Sequence, residues 1–454
     1  MLKQLKKIYR ALPPCITSWV RRVPDGVLFG GSYRTCRPDV DIFRCATNLK
    51  LTLDYARDHT EWGKENIPAI IQTNESEALV RALPIVTSEE LAANPERFVS
   101  DEANGRNSYW ATTGGSGRNP TSICLNNSSY GIEWKHMHHI WRSHKFGVER
   151  CELSYLRRRD LKLTFRGYHL RKGELVRFDP IYNELSVDPF QLSDENFEKF
   201  LGMVRRYKVS CLHGYPSLIS LFMERLKSMG ENFQVKLIFL GSEGASVELK
   251  RQLADFFRAK VISWYGLTEK VVLAYDADMT GKFVNFSSYG YPWILNPDEN
   301  GIGEIVGTTF VNMAMPLVNY RTGDFGRIST QGYRTADGIA REMLIIDQLQ
   351  GRTGKDFLYG KQGEKFTMTA VNLHGEVQQK IVFYQIIQNE FGKIDVRVLP
   401  KKVFRPDQVC QELKEELCKR LKGFEVYCEA VKSDVEFVRS TRGKMIVLVQ
   451  NLKH

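Results

Sequence analysis

Two short strings in this 454-residue chain place residues suited to nucleotide chemistry just after apolar strands. Tyr265-Gly266-Leu267-Thr268-Glu269 follows the strand-like stretch 260–264, and Gly241-Ser242-Glu243-Gly244 follows Val235–Leu240. Together they supply an aromatic ring, bare glycine backbone and two carboxylates, Glu243 and Glu269. A third string, Tyr320-Arg321-Thr322-Gly323-Asp324, offers a carboxylate at a turn, and one carboxylate accepts hydrogen bonds from both hydroxyls of a ribose. Asp324 is therefore a ribose candidate, although an Asp opening an ordinary turn has the same local sequence. The Gly/Ser/Thr-dense run Thr112-Thr113-Gly114-Gly115-Ser116-Gly117-Arg118-Asn119-Pro120 has the composition of a phosphate-wrapping loop, in which glycine admits close backbone approach and N–H and O–H groups point inward. It is not a P-loop and does not match Gly-x-Gly-x-x-Gly, and a surface turn can have the same composition. Near the end of the chain, Ser440-Thr441-Arg442-Gly443-Lys444 leads into the apolar stretch Met445–Val449. Lys444 is either a solvated turn residue or a movable ammonium that neutralises charge developing between a carboxylate and a phosphate.

These side chains need a frame that brings loops together. Between Leu240 and Lys260, Val247, Leu253, Phe256 and Phe257 fall near one helical face, which predicts a β-α-β unit. A right-handed crossover makes its strands parallel and sends both following loops to the carboxyl edge of the sheet, where open α/β sheets bind ligands. From about residue 195 helix and strand alternate through Val209–His213 and the helix after Pro216, so the expected fold is α/β: a large body with mainly parallel sheets flanked by helices, carrying a β subdomain. Residues 1–105 read as helices with Pro-marked breaks, including a capped helix after Thr87-Ser88-Glu89-Glu90. Gly303–Thr309 and Leu317–Arg321 read as paired β segments of a subdomain over about 303–350. Gly351–Asp356 is a polar, Gly-rich hinge candidate. Beyond it Val382–Asn389, Asp395–Leu399, a helix across Asp407–Leu421 and Met445–Val449 predict a small mobile α+β domain over 357–454. The expected division is thus a body of 1–350, a hinge of 351–356 and that tail.

Composition narrows the function. With 43% hydrophobic and 26% charged residues and no apolar run near the length of a bilayer span, the chain reads as globular and not membrane-crossing. Its N-terminus is basic but lacks the apolar core of a secretory signal, so the expected location is cytoplasmic. The nine cysteines form no Cys-x-x-Cys pair and fit reduced thiols rather than a zinc site. His136, His138 and His139 lack acidic or cysteine companions at ligand spacing, which favours an ordinary helix surface or pocket lining over a metal site. The net charge is +11, and residues 1–50 hold ten Lys/Arg against three Asp. That basic start is either a solvated helix or a peripheral contact with an anionic membrane or polysaccharide; no nucleic-acid motif accompanies it, so no nucleic-acid partner is expected.

The order of these pieces resembles the adenylate-forming superfamily, and more narrowly its phenylacetate–CoA ligase and capsular-polysaccharide-biosynthesis branch. The resemblance runs from Leu83-Pro84-Ile85-Val86-Thr87 through His213-Gly214-Tyr215-Pro216-Ser217 to Lys444, and is most specific at Tyr265–Glu269 and Tyr320–Asp324. It implies ATP and Mg2+ as cofactors, with Thr112 to Gly117 as the phosphate loop and Gly241, Ser242 and Glu243 at the adenine edge. Tyr265 and Gly266 would line the adenine pocket, Thr268 touch phosphate, Glu269 bind the metal, and Asp324 hold the ribose with help from Arg352. Lys444 would serve adenylation from the C-terminal domain. The acyl pocket would draw on His213, Tyr215, Ser217 and the helix starting near Trp134. Two departures stand out: a single hydroxyl between Gly115 and Gly117, and Asp356 four residues after Arg352 where the family commonly spaces it by three. The implied activity is a ligase that activates a carboxylic acid as an acyl-adenylate, releases pyrophosphate, and transfers the acyl group to CoA or to an amine or hydroxyl in surface-polysaccharide biosynthesis. The alternative from another class is a non-catalytic nucleotide-binding scaffold of a polysaccharide-assembly complex.

Overall fold

The computed structural model describes residues 23–112, 121–143, 161–165, 170, 172–179, 181–189, 191–192, 194–335, 337–350, 357–367, 377, 380–439 and 445–452. In chain order the main elements are α1 (Cys45–His59), β1 (Ser108–Thr112), β2 (Ser122–Asn126), α2 (Asn127–Ser143), β3 (Lys162–Phe165), β4 (Val176–Asp179), β5 (Glu184–Val187), α3 (Asp194–Arg206), β6 (Cys211–Gly214), α4 (Pro216–Ser228), β7 (Leu237–Leu240), α5 (Val247–Phe257) and β8 (Lys260–Gly266). They continue as β9 (Leu273–Asp276), β10 (Phe283–Asn285), β11 (Gly290–Leu295), β12 (Gly303–Thr309), β13 (Tyr320–Arg334), β14 (Ala340–Gln350), β15 (Phe357–Tyr359), β16 (Lys365–Thr367), β17 (Ile381–Glu390), β18 (Lys393–Pro400), α6 (Pro406–Arg420), β19 (Glu425–Ala430) and β20 (Leu448–Gln450). The α/β class and the separate small C-terminal sheet agree with the sequence expectation.

Two compact units share the chain. The first takes Met1–Leu161, Phe178–Glu184 and Ile262–Leu349. Its strands run in the order β11-β12-β13-β14-β10-β9-β8, with antiparallel pairing in β11/β12, β12/β13, β10/β14, β9/β10 and β8/β9. The helical N-terminal region packs into the same core: Leu49, Leu53 and Ala56 of α1 fall on one face at 3.6-residue spacing and are buried with Val80, Leu91, Val271, Ile305 and Ile346. The helix expected after Thr87 spans Ser88–Ala93, and the Thr87 side chain accepts a hydrogen bond from Glu90 N at 3.1 Å. The β segments expected to pair do so, through Val306↔Arg321 and Gly307↔Tyr320. No disulfide joins the described cysteines, and among the described residues no helix is long and apolar enough to cross a membrane.

The second unit takes Lys162–Arg177, Leu185–Val261 and Gln350–His454. Here lies parallel pairing of the kind expected, β3 with β6 and β6 with β7. All four residues of each of these strands are buried, as in a strand covered on both faces, although Lys162, Thr164 and His213 among them are polar. Phe165 of β3, Phe222 of α4 and Phe257 of α5 stack within this layer, with centroids 5.1 and 6.0 Å apart. The C-terminal part forms a four-stranded sheet in the order β19-β18-β17-β20. α6 covers it, through Val409, Leu413 and Leu417 at i, i+4 and i+8. Strand β19 was not anticipated from the sequence; its Val426, Cys428 and Ala430 alternate with Glu and Tyr over only six residues.

Candidate functional site

In the first unit, the two most specific strings meet. β8 ends in Tyr265 and Gly266, paired with Ala274 and Leu273 of β9. A Cβ on Gly266 would stand 3.1 Å from Leu273 Cδ1, so a bare backbone eases this close pairing. The chain then turns through Leu267 and Thr268, with Lys270 N bonded to Leu267 O at 3.2 Å and Lys270 itself at φ +62°. Lys270 forms an ion pair with Glu133 of α2, which ties this turn to a helix.

The partner string opens β13. Tyr320, Thr322 and Asp324 are all buried while Arg321 is exposed, the alternation of a strand. Thr322 Oγ1 donates to Ile305 O at 2.7 Å, and Asp324 N donates to Thr322 Oγ1 at 3.1 Å. Residues 322–324 face the single residue Ile305 where the register shifts between Glu304 and Val306, and with φ +77° at Gly323 this irregularity bends β13 at Asp324. Tyr265 Oη donates to Asp324 Oδ2 at 2.8 Å, and Tyr320 Oη donates to Glu269 Oε1 at 2.9 Å. Each string thus contributes one tyrosine and one carboxylate, four residues apart, and each tyrosine holds the other string's carboxylate. Glu269 is 1% exposed and Asp324 6%. Carboxylates this buried are costly unless hydrogen-bonded, so the phenols are part of what makes the arrangement stable. Tyr320 had no assigned role from sequence, although its place four residues before Asp324 on the same strand face was a usable signal.

The Mg2+ implied by the resemblance can be tested against this donor set. Among the described residues no three His, Cys, Asp or Glu side chains cluster as a metal cage. A single buried carboxylate at Glu269, beside the hydroxyl-bearing Thr268, fits a hard cation that takes its remaining ligands from phosphate oxygens and water.

In the second unit, β6 and β7 run parallel, so their following segments leave the same edge of the sheet. His213 pairs in register with Thr164 of β3 and Phe239 of β7, and is buried. Gly214 has φ +155°, and a Cβ there would meet Phe165 O at 2.2 Å. Only glycine fits that step from strand to helix. Tyr215 then precedes α4, with Pro216 at its first turn. Ser217 N, in that first turn, donates to Glu243 Oε2 at 3.1 Å, a carboxylate placed where the helix dipole favours negative charge. Gly241 N reaches Gly214 O at 3.3 Å, and Ser242 sits in the left-handed region at φ +67°. The structure therefore brings Gly241, Ser242 and Glu243 together with Gly214, Tyr215 and Ser217 at one sheet edge.

Of the phosphate-loop candidates, Thr112 ends β1 opposite Ser122 of β2, which sets the two ends of the loop in register. Thr113, Gly114, Gly115, Ser116 and Gly117 lie outside the described residues, as do Arg352 and Lys444. The helix proposed to help line the acyl pocket is α2, in the first unit. Its Trp134 stacks on Phe29 and Tyr182, with centroids 5.3 and 5.0 Å away. His136 on α2 is not a surface residue: its ring is buried, with Nε2 2.9 Å from Ser288 Oγ and Nδ1 2.9 Å from Ile132 O. Burial pushes its pKa down to about 4.

Residues 186–304 match the family model of the AMP-binding enzymes. The chain is 24% identical over 175 residues to the phenylacetate-coenzyme A ligase of Pseudomonas putida, a stretch covering 36% of this chain and 38% of that one. It is 21% identical over 222 residues to the phenylacetate-coenzyme A ligase of Thermus thermophilus, covering 46% and 48%. The matched stretch thus spans less than half the length of each of these relatives. Its fold is similar to that of 2-hydroxyisobutyryl-CoA ligase in the postadenylation state in complex with R3-HIB-AMP, with a TM-score of 0.60, 16% identity, and coverage of 89% of this chain and 88% of that one. Over residues 186–304 the chain is thus similar in sequence to the AMP-binding enzymes, and over most of its length its fold is similar to that of an acyl-CoA ligase.

Proposed function

We propose that this chain is an ATP-dependent acid–thiol ligase. In the first half-reaction a carboxylate oxygen of the acid attacks the α-phosphorus of ATP, and the bond from that phosphorus to the pyrophosphate breaks. In the second, a thiolate attacks the acyl carbon and AMP leaves. Neither step requires a protein nucleophile; alignment and charge neutralisation carry the rate. Asp324 receives the ribose hydroxyls, and Tyr265 forms a wall of the adenine pocket while its hydroxyl orients Asp324. Glu269, held by Tyr320, would be the protein ligand of Mg2+, whose charge offsets that of the phosphates. Thr268, the loop from Thr112 to Gly117, and Gly241 to Glu243 complete the nucleotide contacts. Arg352 assists at a hinge over 351–356, and Lys444 serves adenylation. His213, Tyr215 and Ser217 border the acid.

The reciprocal tyrosine–carboxylate bonds carry this reading, because they pre-order two buried carboxylates in the strings that the resemblance assigns to ribose and metal. The acceptor is taken to be CoA, as in the names of the relatives. An amine or hydroxyl of a surface polysaccharide is the finer alternative raised by the capsular branch of the resemblance. The test is an ATP–pyrophosphate exchange screen over a panel of carboxylic acids, with and without Mg2+, followed by transfer to CoA and to amino sugars. Acid-dependent, Mg2+-dependent exchange is expected. Absence of exchange across the panel, together with no ATP binding by calorimetry, would overturn the ligase reading.

A further inference from the structure

A cavity of about 320 Å3 opens in the first unit between the helix Ser76–Ala82, the edge strand β11 and the β13–β14 pair, and none of its lining residues belongs to the candidate nucleotide site. That volume is at the lower end for small-molecule sites, which run from about 300 to 1,000 Å3. Its apolar walls come from Ile42, Pro292, Trp293, Ile294, Ile328 and Leu344. The lining also carries charge of both signs. Arg81 Nη2 donates to Tyr291 Oη at 2.8 Å, and Tyr291 Oη donates to Glu77 Oε2 at 3.0 Å. Tyr291 is buried, and burial pushes its pKa up to about 12, so the phenol stays a neutral donor. Glu77 and Arg81 stand four apart on one helix, in the order that lets a carboxylate and a cation pair directly. Here the phenol bridges them, and among the described residues neither forms an ion pair. Arg81 keeps further N–H donors and Glu77 a second oxygen for a ligand.

We propose that this cavity binds an α-amino acid with an apolar side chain, its carboxylate on Arg81, its ammonium on Glu77 and its side chain against Trp293 and the apolar residues beside it. A monocarboxylate would set a like charge against Glu77, and a simple amine would set one against Arg81. A zwitterion answers both groups, and an apolar side chain answers the walls.

The cavity is joined to the nucleotide site through one residue. Trp293 Nε1 donates to Asn319 Oδ1 at 3.0 Å. Asn319 is fully buried at φ +51°, and its Nδ2 donates to Leu83 O at 3.1 Å and to Val80 O, at the end of the helix that carries Glu77 and Arg81. The next residue is Tyr320, which holds Glu269. Asn319 is thus bonded to two walls of the cavity and adjoins the residue that orients a candidate metal ligand, which makes the amino acid an effector of nucleotide binding. The effector role rests on the proposed ligase reading of Glu269; the binding site does not.

Calorimetry on the full chain, without nucleotide, tests the site with L-leucine and L-phenylalanine. At least one should bind with a Kd of about 1 mM or tighter. Glycine, isocaproate and isoamylamine, which lack the side chain, the ammonium and the carboxylate of leucine respectively, should bind about tenfold more weakly or worse. Glu77→Gln and Arg81→Gln, on protein with a wild-type-like melting curve, should each cost about tenfold or more. No heat with either amino acid, or an affinity untouched by both substitutions, overturns the site. Saturating amino acid should shift the Kd for MgATP about threefold or more, and MgATP should shift the Kd for the amino acid by the same factor. Trp293→Phe keeps a ring in the cavity but loses the donor to Asn319, so it should still bind the amino acid and lose this coupling. An unshifted ATP affinity in the wild type, or full coupling in Trp293→Phe, overturns the effector role. Amino-acid binding by a chain that does not bind ATP would overturn the effector role and count against the ligase reading, while the cavity site would stand.

Discussion

Tyr320 Oη lies 2.9 Å from Glu269 Oε1, and both side chains are sealed from solvent. Tyr320→Phe keeps the ring and removes the donor. A hydrogen bond to a charged group contributes about 1.5–3 kcal/mol, so the urea midpoint should fall by that equivalent with an unchanged slope. The Mg2+ concentration giving half-maximal pyrophosphate exchange should rise several-fold, because the carboxylate loses its fixed orientation. Identical midpoints and identical Mg2+ response in the variant would remove Tyr320 from any positioning role.

The second tyrosine–carboxylate pair separates binding from support. Asp324→Ala should weaken ATP binding, measured calorimetrically without acid, by about 10- to 100-fold, through loss of charge-assisted bonds to the ribose. Tyr265→Phe leaves the carboxylate and should cost only a few-fold. An Asp324→Ala variant with wild-type ATP affinity would take Asp324 out of the nucleotide site.

Lys444→Ala should abolish adenylation while leaving much of the transfer from a supplied acyl-adenylate intact. A lysine that neutralises charge in one step affects that step, whereas a structural lysine affects both through folding. Equal losses in the two half-reactions on one folded preparation would return Lys444 to an ordinary turn.

His136 predicts an acid-side loss of stability. In the folded chain its pKa is about 4 because burial disfavours the cation, whereas an exposed imidazole titrates at its ordinary value of 6.5. Between those values the unfolded chain binds more protons, so stability rises with pH there: it is complete above about 6.5 and declines as pH falls toward 4. The shift corresponds to roughly 3 kcal/mol. Unfolding midpoints recorded across pH 4–7 should show a slope that His136→Gln flattens; the nearby Glu133 and His139 remain in both proteins. Parallel slopes for the two proteins would assign the acid sensitivity elsewhere.

Local signals made much of the frame legible. The apolar face of α5 at Leu253 and Phe257, Thr87 as an N-cap, and the alternation through β18 follow from periodicity and capping chemistry alone. The C-terminal helix expected over 407–421 forms over Pro406–Arg420. Tertiary relationships were not legible. Nothing in the letters around His136 distinguishes a surface imidazole from one enclosed by Ser288, Phe286 and Tyr289, because its neighbours lie about 150 residues away. The strings bearing Tyr265 and Tyr320 stood out, yet their mutual hydrogen bonds depend on β-sheet register and on an irregularity in β13 that includes Asp324. The hydrogen bond from Arg81 to Tyr291 spans 210 positions and has no local signature.

The two compact units are threaded through one another along the chain, each in three pieces, with 178–184 and 162–177 exchanging places between them. A ribosome has therefore made residue 349 before the first unit has all its strands, and β20 emerges later still to finish the second. Contacts of such long sequence separation close late and slowly. Any library of fragments cut at a single position will break at least one unit. Expression of isolated pieces should accordingly yield chaperone-bound or aggregated chains, and recombination between relatives should succeed only when exchanged blocks respect all three pieces of a unit.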